Sequence, residues 1–188
     1  MKIIDSGTQK MDLTKDIYLS DSILINFQNL DNKEKEMVRT WRNNESIMKW
    51  MYQDHNITEV EHNNFIIKLK EDTKNLYWLL KNISGEYIGV ISLNRIDFRN
   101  KNAYLGIYSN PESKLHAGKL IISSVKELIS NVIPLHTLKI EVIDNNERAI
   151  NFYKKSGFNE EGRLKEFIHK NGEWHDAIVM GIINTSLV

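Results

Sequence analysis

The chain has 188 residues, of which 41% are hydrophobic, and these values fit one globular domain with a full core. Basic residues (Lys and Arg) and acidic residues (Asp and Glu) each number 25, so the formal net charge is zero. A neutral chain argues against nucleic-acid binding, which normally needs a basic surface. The absence of cysteine excludes disulfides, thiolate metal sites and a cysteine nucleophile.

The amino-terminal residues are too polar for a signal peptide, and no apolar run approaches the length of a membrane-spanning helix. We therefore expect a soluble, cytoplasmic protein with neither a membrane nor a nucleic acid as partner. The six histidines form no i, i+4 pair with a carboxylate partner, so the sequence predicts no metal site.

Seven apolar or alternating runs predict β-strands in a domain of residues 21–188, which follows a polar, aperiodic N-terminal extension of residues 1–20. These runs cover residues 22–27, 76–80, 87–93, 103–108, 138–142, 159–168 and 175–183. Asn171-Gly172 is a strong turn signal between the last two strands. Gly106 lies inside the fourth strand, where it indicates a β-bulge or a close backbone approach.

Four helices are predicted between these strands. Asp31 or Asn32 can cap the first, and a capping box at Thr58 opens the second. The buried side of the second helix is predicted to carry Phe65, Ile66 and Leu69. The third, long helix has apolar residues on one face, namely Ile121, Val125, Leu128, Ile129 and Val132. The order β-α-α-β-β-β-α-β-α-β-β predicts a single α/β domain with a mixed, mostly antiparallel sheet of about seven strands flanked by helices.

The fourth helix is short and carries an unusual stripe of side chains. Asn145 or Asn146 suits its N-cap and Gly157 its C′ position. Four side chains share one face at i, i+3, i+4 and i+7: Asn146, Ala149, Ile150 and Tyr153. Spacing alone favours a plain amphipathic helix whose tyrosine hydrogen-bonds at the edge of the core. An amide, a small residue and a phenol would also suit a face that meets a ligand.

Several motifs between residues 104 and 176 resemble those of the GNAT acetyltransferase superfamily. They are Tyr104-Leu105-Gly106-Ile107-Tyr108 with a helix start at Gly118, Asn146-x-x-Ala149-x-x-x-Tyr153, Gly157-Phe158, and Glu161-Gly162-Arg163 with Gly172 and Asp176. The last of these is typical of the branch that holds the ribosomal-protein acetyltransferases. Within this branch, Trp41-Arg42-Asn43, Trp50-Met51-Tyr52 and Glu141-Val142-x-x-Asn145-Asn146 resemble the pseudaminic acid biosynthesis enzymes that acetylate the 4-amino group of UDP-4-amino-4,6-dideoxy-N-acetyl-altrosamine.

The resemblance implies acetyl-CoA as cosubstrate, with its pyrophosphate bound by backbone N–H groups at a helix start. The loop there departs from the usual Gln/Arg-x-x-Gly-x-Gly/Ala pattern, because Ser113 stands first and His116 replaces the middle glycine. The residues expected to bind acetyl-CoA are Leu105, Ile107, Tyr108, Ser109, Leu115, His116, Ala117, Gly118, Lys119, Asn146 and Ala149.

The resemblance also implies the catalytic roles. Tyr153 would protonate the leaving thiolate, since a phenol with pKa about 10 is only slightly weaker as an acid than a thiol with pKa about 8.5. Glu141 would draw the proton from the attacking amine through a water that Ser92 helps to hold. A solvated strand carboxylate at Glu141, with the amine deprotonated by bulk water, is the alternative.

For the acceptor, the resemblance implies a small nucleotide-sugar. Arg42 and Arg95 would bind its phosphates. The remaining expected acceptor contacts are His62, Asn94 and Tyr108 for the nucleotide, and Met51 and Tyr52 as a wall for the uracil or the sugar. Two alternatives stay open: a protein N-terminal acetyltransferase of the ribosomal-protein type, and a non-catalytic CoA-binding module. A homodimer is compatible with the sequence, which does not determine the oligomeric state.

Overall fold

The computed structural model describes residues 3–5, 10–113 and 117–187. Its strands are β1 (Ile3–Asp5), β2 (Lys10–Asp12), β3 (Ile17–Tyr18), β4 (Ser22–Asn26), β5 (Leu76–Asn82), β6 (Tyr87–Asp97), β7 (Asn102–Ser109), β8 (Thr137–Ile143), β9 (Asn159–Lys170) and β10 (Glu173–Ile183). Its α-helices are α1 (Asn32–Asn43), α2 (Glu45–Met48), α3 (Glu59–Lys68), α4 (Ala117–Glu127) and α5 (Glu147–Lys155). A π-helical segment (Leu128–Val132) continues α4, and short 3₁₀ segments cover Phe27–Asn29 and Thr185–Leu187.

The main sheet has eight strands in the order β3-β4-β5-β6-β7-β8-β10-β9, and only the β7–β8 pair is parallel. The predicted mixed, mostly antiparallel sheet is therefore confirmed, with β3 as an additional edge strand. Residues 22–27 do not form the first strand, because β1, β2 and β3 precede them. Leu13 is only 2% exposed and belongs to the main core, so the chain packs on the domain before residue 21.

Helices cover both faces of the sheet, and the alternation of side chains along the strands sends apolar groups to each. On β5, Trp78 and Leu80 belong to the core that includes Ile121 and Val125 of α4. Leu79, between them, belongs to a second core formed with α1, α2 and α3. This two-sided burial explains why β5 reads as a continuous apolar run.

The predicted helix signals are present, with one exception. Thr58 Oγ1 accepts from the N–H of Glu61 at 3.2 Å, and Glu61 Oε2 accepts from the N–H of Thr58 at 2.7 Å, which completes the capping box. Ile66 and Leu69 are buried, but the prediction for Phe65 is wrong because this ring is 36% exposed. Phe65 lies edge-on to Tyr77, with ring centroids 5.0 Å apart, at the border of a groove rather than in the core.

The parallel pair β7–β8 opens after three residues. The register runs from Asn102 opposite Thr137 to Tyr104 opposite Lys139, and in the described part of the chain residues 105–109 of β7 have no strand partner on that side. Helices α4 and α5 follow β7 and β8, so the split lies beside the start of both helices. A groove therefore begins where the two strands separate.

Gly106 marks a close approach rather than a bulge. It pairs with Ser92 in regular register, and the register shift between β6 and β7 lies elsewhere, between Asn94 and Asp97. A Cβ at position 106 would lie 2.5 Å from Ser92 Oγ and 3.3 Å from Asn94 Nδ2. Any side chain here would therefore displace the polar groups on β6.

Candidate functional site

A groove of about 1230 Å³ runs from the split between β7 and β8 to the connection between α1 and α3. Every predicted site residue that the structure describes lines this groove. These residues are Arg42, Met51, Tyr52, His62, Ser92, Asn94, Arg95, Leu105, Ile107, Tyr108, Ser109, Ala117, Gly118, Lys119, Glu141, Asn146, Ala149 and Tyr153. Leu115 and His116 lie outside the described residues. Residues remote in sequence thus share one cavity, while their individual roles stay predictions.

At one end of the groove, the start of α4 packs closely on α5. A Cβ on Gly118 would lie 2.6 Å from Cε2 of Phe152, so glycine allows this approach. Asn146 is the N-cap of α5, and its Oδ1 accepts from the N–H of Ala149 at 3.2 Å. Within the described residues no group accepts from Asn146 Nδ2, which leaves an amide donor at the groove wall. Phe152 was not predicted as a site residue.

Tyr153 is 6% exposed, and its ring lies between Phe152 and Phe158 at centroid distances of 5.2 and 5.5 Å. Its hydroxyl has no hydrogen-bond partner in residues 3–5, 10–113 and 117–187. The alternative in which the Tyr153 hydroxyl forms a hydrogen bond at the edge of the core is therefore wrong. Burial raises the pKa of Tyr153 above its ordinary value of 10.0, so the phenol keeps its proton at neutral pH.

Glu141 is a nearly buried carboxylate, with 9% of its side chain exposed. Its Oε2 accepts from the hydroxyl of Tyr52 at 2.7 Å, and its Oε1 accepts from Arg95 Nη2 at 2.8 Å. The alternative of a solvated strand carboxylate is therefore wrong. Burial raises the pKa of Tyr52, and the charge on Glu141 raises it further. The Arg95 guanidinium also stacks over the ring of Tyr104 at 3.5 Å.

A chain of hydrogen bonds crosses the floor of the groove. The hydroxyl of Tyr77 donates to Asn94 Oδ1 at 2.6 Å, and Asn94 Nδ2 donates to Ser92 Oγ at 2.9 Å. Ser92 Oγ then donates to the carbonyl of Gly106 at 3.3 Å. The chain fixes the orientation of Ser92, which is 5% exposed. Tyr77 was not predicted, because its strand reads as core.

Arg42 lines the other end of the groove and has a guanidinium nitrogen without a partner among the described residues. Its Nη2 donates to Gln53 Oε1 at 3.2 Å, whereas its buried Nη1 has no partner in the described part of the chain. Gln53 Nε2 is likewise buried without a partner. Burial lowers the pKa of Arg42, since desolvation disfavours the cation. The same positive charge partly offsets the rise that burial causes in the pKa of Tyr108.

His62 is a buried, neutral ring. It is 6% exposed and lies edge-on to Phe27 at a centroid distance of 6.4 Å. Burial, followed by the charge of Arg39, lowers its pKa to about 4. At neutral pH this imidazole therefore offers one donor and one acceptor and carries no charge.

Cations outnumber carboxylates among the described residues that line the groove. The cations are Arg42, Arg95, Lys119 and Arg148, and the carboxylates are Glu61 and Glu141. Both carboxylates are engaged, Glu61 by the cap of α3 and Glu141 by Arg95.

Throughout the described ranges no group of three His, Asp or Glu side chains is placed to hold a metal ion. None of the described helices is long and apolar enough to cross a membrane.

A family profile described as "Acetyltransferase (GNAT) domain" matches residues 28–179, which include both ends of the groove. The chain belongs to the GNAT acetyltransferase family. Members of this family use acetyl-CoA, and this chain is accordingly an acetyltransferase with N-acetyltransferase activity. The non-catalytic alternative is thereby set aside.

Two types of GNAT relative are about equally similar in sequence. Acetyltransferase PseH of Campylobacter jejuni is 28% identical over 146 residues, which cover 78% of this chain and 90% of PseH. Spermidine N(1)-acetyltransferase of Escherichia coli is 27% identical over 157 residues, which cover 81% of this chain and 82% of that enzyme. Sequence identity alone therefore does not select the acceptor.

Solved structures support the fold. Spermidine N-acetyltransferase from Vibrio cholerae, in complex with CoA and spermine, superposes with a TM-score of 0.79 at 22% identity. The superposition covers 90% of this chain and all of that one. At this identity the likeness shows a shared fold, so the acceptor has to be argued from the residues of this groove.

Proposed function

We propose that this enzyme transfers an acetyl group from acetyl-CoA to the 4-amino group of UDP-4-amino-4,6-dideoxy-N-acetyl-altrosamine, a step of pseudaminic acid biosynthesis. The observation that carries the proposal is the pair of unused donors at the acceptor end of the groove. Arg42 Nη1 and Gln53 Nε2 are both buried and unpartnered within the described residues. Unpaired buried donors are costly, and both residues line the groove, so a small rotation of each side chain would let a phosphate bound there accept from both.

The surroundings of Arg42 favour an anionic acceptor over a cationic one. None of the carboxylates in the described part of the chain lies within 4.0 Å of Arg42 to neutralise it. A polyamine would bring positive charge beside a desolvated guanidinium, which is repulsive, whereas a diphosphate would form charge-assisted hydrogen bonds. Phe65 and Tyr77, which meet edge to face, add an aromatic wall suited to a flat base.

The split between β7 and β8 fits the pantetheine arm of acetyl-CoA. The N–H of Asn110 donates to the carbonyl of Ile88 on β6, and donors alternate between the two edges of a strand. The N–H groups of Ile107 and Ser109 are therefore directed to the edge without a partner. These donors can pair with the amides of the arm and polarise a carbonyl oxygen placed beside them.

Acetyl-CoA supplies the activated acetyl group, and the protein supplies the proton transfers. Tyr153 holds a proton at neutral pH and has no competing partner in the described ranges, so its hydroxyl is free to donate to the departing sulfur. Burial disfavours the charged forms of a phenol and a thiol alike. The small pKa difference between the two groups in water is therefore roughly preserved inside the groove.

Glu141 is the group we assign to receive the proton of the attacking amine through one water. Tyr52 and Arg95 fix the carboxylate from two sides. The hydrogen-bond chain from Tyr77 fixes Ser92, which lines the same groove. A water between Ser92 Oγ and the carboxylate would have polar partners on both sides, as an ordered water requires.

The proposal is tested by comparing two acceptors with the same purified enzyme. We expect release of CoA thiol with the UDP-4-amino-sugar, competitive inhibition of that reaction by UDP, and little turnover with spermidine. Arg42→Met should raise KM for the UDP-sugar about ten- to a hundredfold, since a hydrogen bond to a charged group contributes about 1.5–3 kcal/mol. Its acetyl-CoA affinity should stay constant. Turnover with spermidine but not with the UDP-sugar would contradict the proposed acceptor.

A further inference from the structure

Lys170, the last residue of β9, is a buried cation in a mostly exposed strand. Only Lys170 and Ile168 of β9 are buried, and Lys170 is 5% exposed. Its Nζ donates to the carbonyls of Met48, Met51 and Gln53 at 2.9, 2.6 and 2.8 Å. An ammonium has three N–H donors, so these bonds use all of them.

The segment that Lys170 binds is irregular, and two of its backbone carbonyls accept from this ammonium. It follows α2 and contains no helix or strand between residues 49 and 58. Among the described residues no backbone N–H donates to the carbonyl of Met51 or of Gln53. Without the ammonium these carbonyls would lose their partners. Leaving such groups buried and unpaired is unfavourable, so the segment would move.

The same segment forms one wall of the groove at its acceptor end. The side chains of Met51, Tyr52 and Gln53 line the groove, whereas Lys170 itself does not. Tyr52 hydrogen-bonds Glu141, and Gln53 hydrogen-bonds Arg42. A displacement of the segment would therefore alter the surroundings of both the carboxylate and the guanidinium.

We propose that Lys170 is a positioning residue for the acceptor, which holds the wall formed by Met51, Tyr52 and Gln53 by binding its carbonyls from behind. The arrangement needs three N–H donors on one terminal nitrogen of an unbranched side chain. The planar fork of an arginine cannot direct its donors in this way, and methionine has none. The cofactor end of the groove, around Gly118 and Asn146, is formed by the starts of α4 and α5, which are far from this segment in sequence.

The kinetic test compares Lys170→Met with Lys165→Met, which removes a charge from an exposed position of the same strand. We expect Lys170→Met to raise the acceptor KM about tenfold or more, because small displacements of positioning groups are costly. Acetyl-CoA affinity should change less than about twofold, and Lys165→Met should behave as wild type. An unchanged acceptor KM in folded Lys170→Met, or a parallel loss of acetyl-CoA affinity, would overturn the proposal. Lys170→Arg keeps the charge and replaces this variant if Lys170→Met does not fold.

Chemical rescue adds a control specific to the ammonium. The chain has no cysteine, so Lys170→Cys can be aminoethylated at one position under denaturing conditions and refolded. This restores an ammonium at almost the length of lysine. The modified protein should recover most of the acceptor KM of the wild type, whereas the unmodified Lys170→Cys protein should not. Equal acceptor KM values before and after modification would show that the ammonium group does not hold the wall in place.

The kinetic tests rest on the proposed acceptor, and a second readout does not. In the Met51→Cys protein, the reaction rate of the single thiol reports how accessible the wall residue 51 is to solvent. Adding Lys170→Met should speed its reaction with a disulfide reagent about tenfold, as local opening increases. A cysteine at exposed Ile83, which is 73% exposed, should be unaffected. Equal rates at position 51 with and without Lys170 would overturn the proposal. Failure of the wild-type enzyme to use the UDP-sugar would instead refute the proposed function alone.

Discussion

Replacing Tyr153 with phenylalanine separates the catalytic from the structural contribution of its hydroxyl. The ring is held between Phe152 and Phe158, and the hydroxyl has no partner among the described residues. Because this hydroxyl opens into the groove and is not among the enclosed polar atoms, its removal should change the free energy of unfolding by at most about 1 kcal/mol. For a chain of this size this corresponds to about 2–4 °C in Tm. Loss of the general acid should lower kcat about 10²- to 10⁴-fold.

The assay is release of CoA thiol under saturating acceptor, with acetyl-CoA affinity measured by calorimetry and Tm by circular dichroism. The raised pKa adds a pH signature. The unfolded phenol ionises near pH 10 and the folded one only at higher pH, so wild-type stability falls above pH 10. Tyr52 and Tyr108, whose pKa values are also raised, contribute to this fall, so the Tyr153→Phe protein should show a smaller fall than the wild type. A kcat within about twofold of wild type would remove Tyr153 from the mechanism. A large loss of Tm would show that the hydroxyl has a structural partner.

Three further substitutions test other parts of the site. Glu141→Gln keeps one accepting oxygen for Arg95, while its NH2 can donate to the hydroxyl oxygen of Tyr52, and it removes the base. The kcat should therefore fall about 10²- to 10⁴-fold with unchanged acetyl-CoA affinity; an unaltered kcat would favour deprotonation by bulk water. Gly106→Ala places a Cβ 2.5 Å from Ser92 Oγ and should cost about 1–3 kcal/mol in chemical denaturation, part of which Ser92→Ala should restore. His62 has its pKa lowered to about 4, so its stabilising effect is complete above pH 6.5 and is lost as pH falls towards 4. His62→Asn should remove up to about 3 kcal/mol of that acid destabilisation, and parallel pH profiles of unfolding would contradict this.

Local signals in the sequence were sufficient for most of the secondary structure. The capping box at Thr58, the Asn171-Gly172 turn and the C′ glycine at 157 each depend on residues within a few positions of one another. Both residues of the turn have positive φ, 50° and 84°, and Gly157 has φ 98°. Strand β3 was missed because two residues are too few to show an alternation.

The site was less accessible to sequence reasoning, because its decisive contacts are long-range. Lys170 binds carbonyls 117 to 122 residues away, and nothing in the local sequence distinguishes it from Lys165, the exposed lysine of β9. Gln53 matters through its hydrogen bond to Arg42. Arg42 lies at the end of α1 and Gln53 in the irregular segment after α2, so only the folded structure brings the two together. The pairing of Arg95 with Glu141 similarly links two strands that are not neighbours in the sheet. Motif resemblance located the groove, and the three-dimensional structure was needed to find these partners.

The most direct measurement is the identity of the acetylated product. The enzyme is incubated with acetyl-CoA and an equimolar mixture of the UDP-4-amino-sugar and spermidine, and the products are analysed by mass spectrometry and NMR. We predict an amide at the 4-amino nitrogen of the sugar and unmodified spermidine. Acetylated spermidine with unmodified UDP-sugar would contradict it.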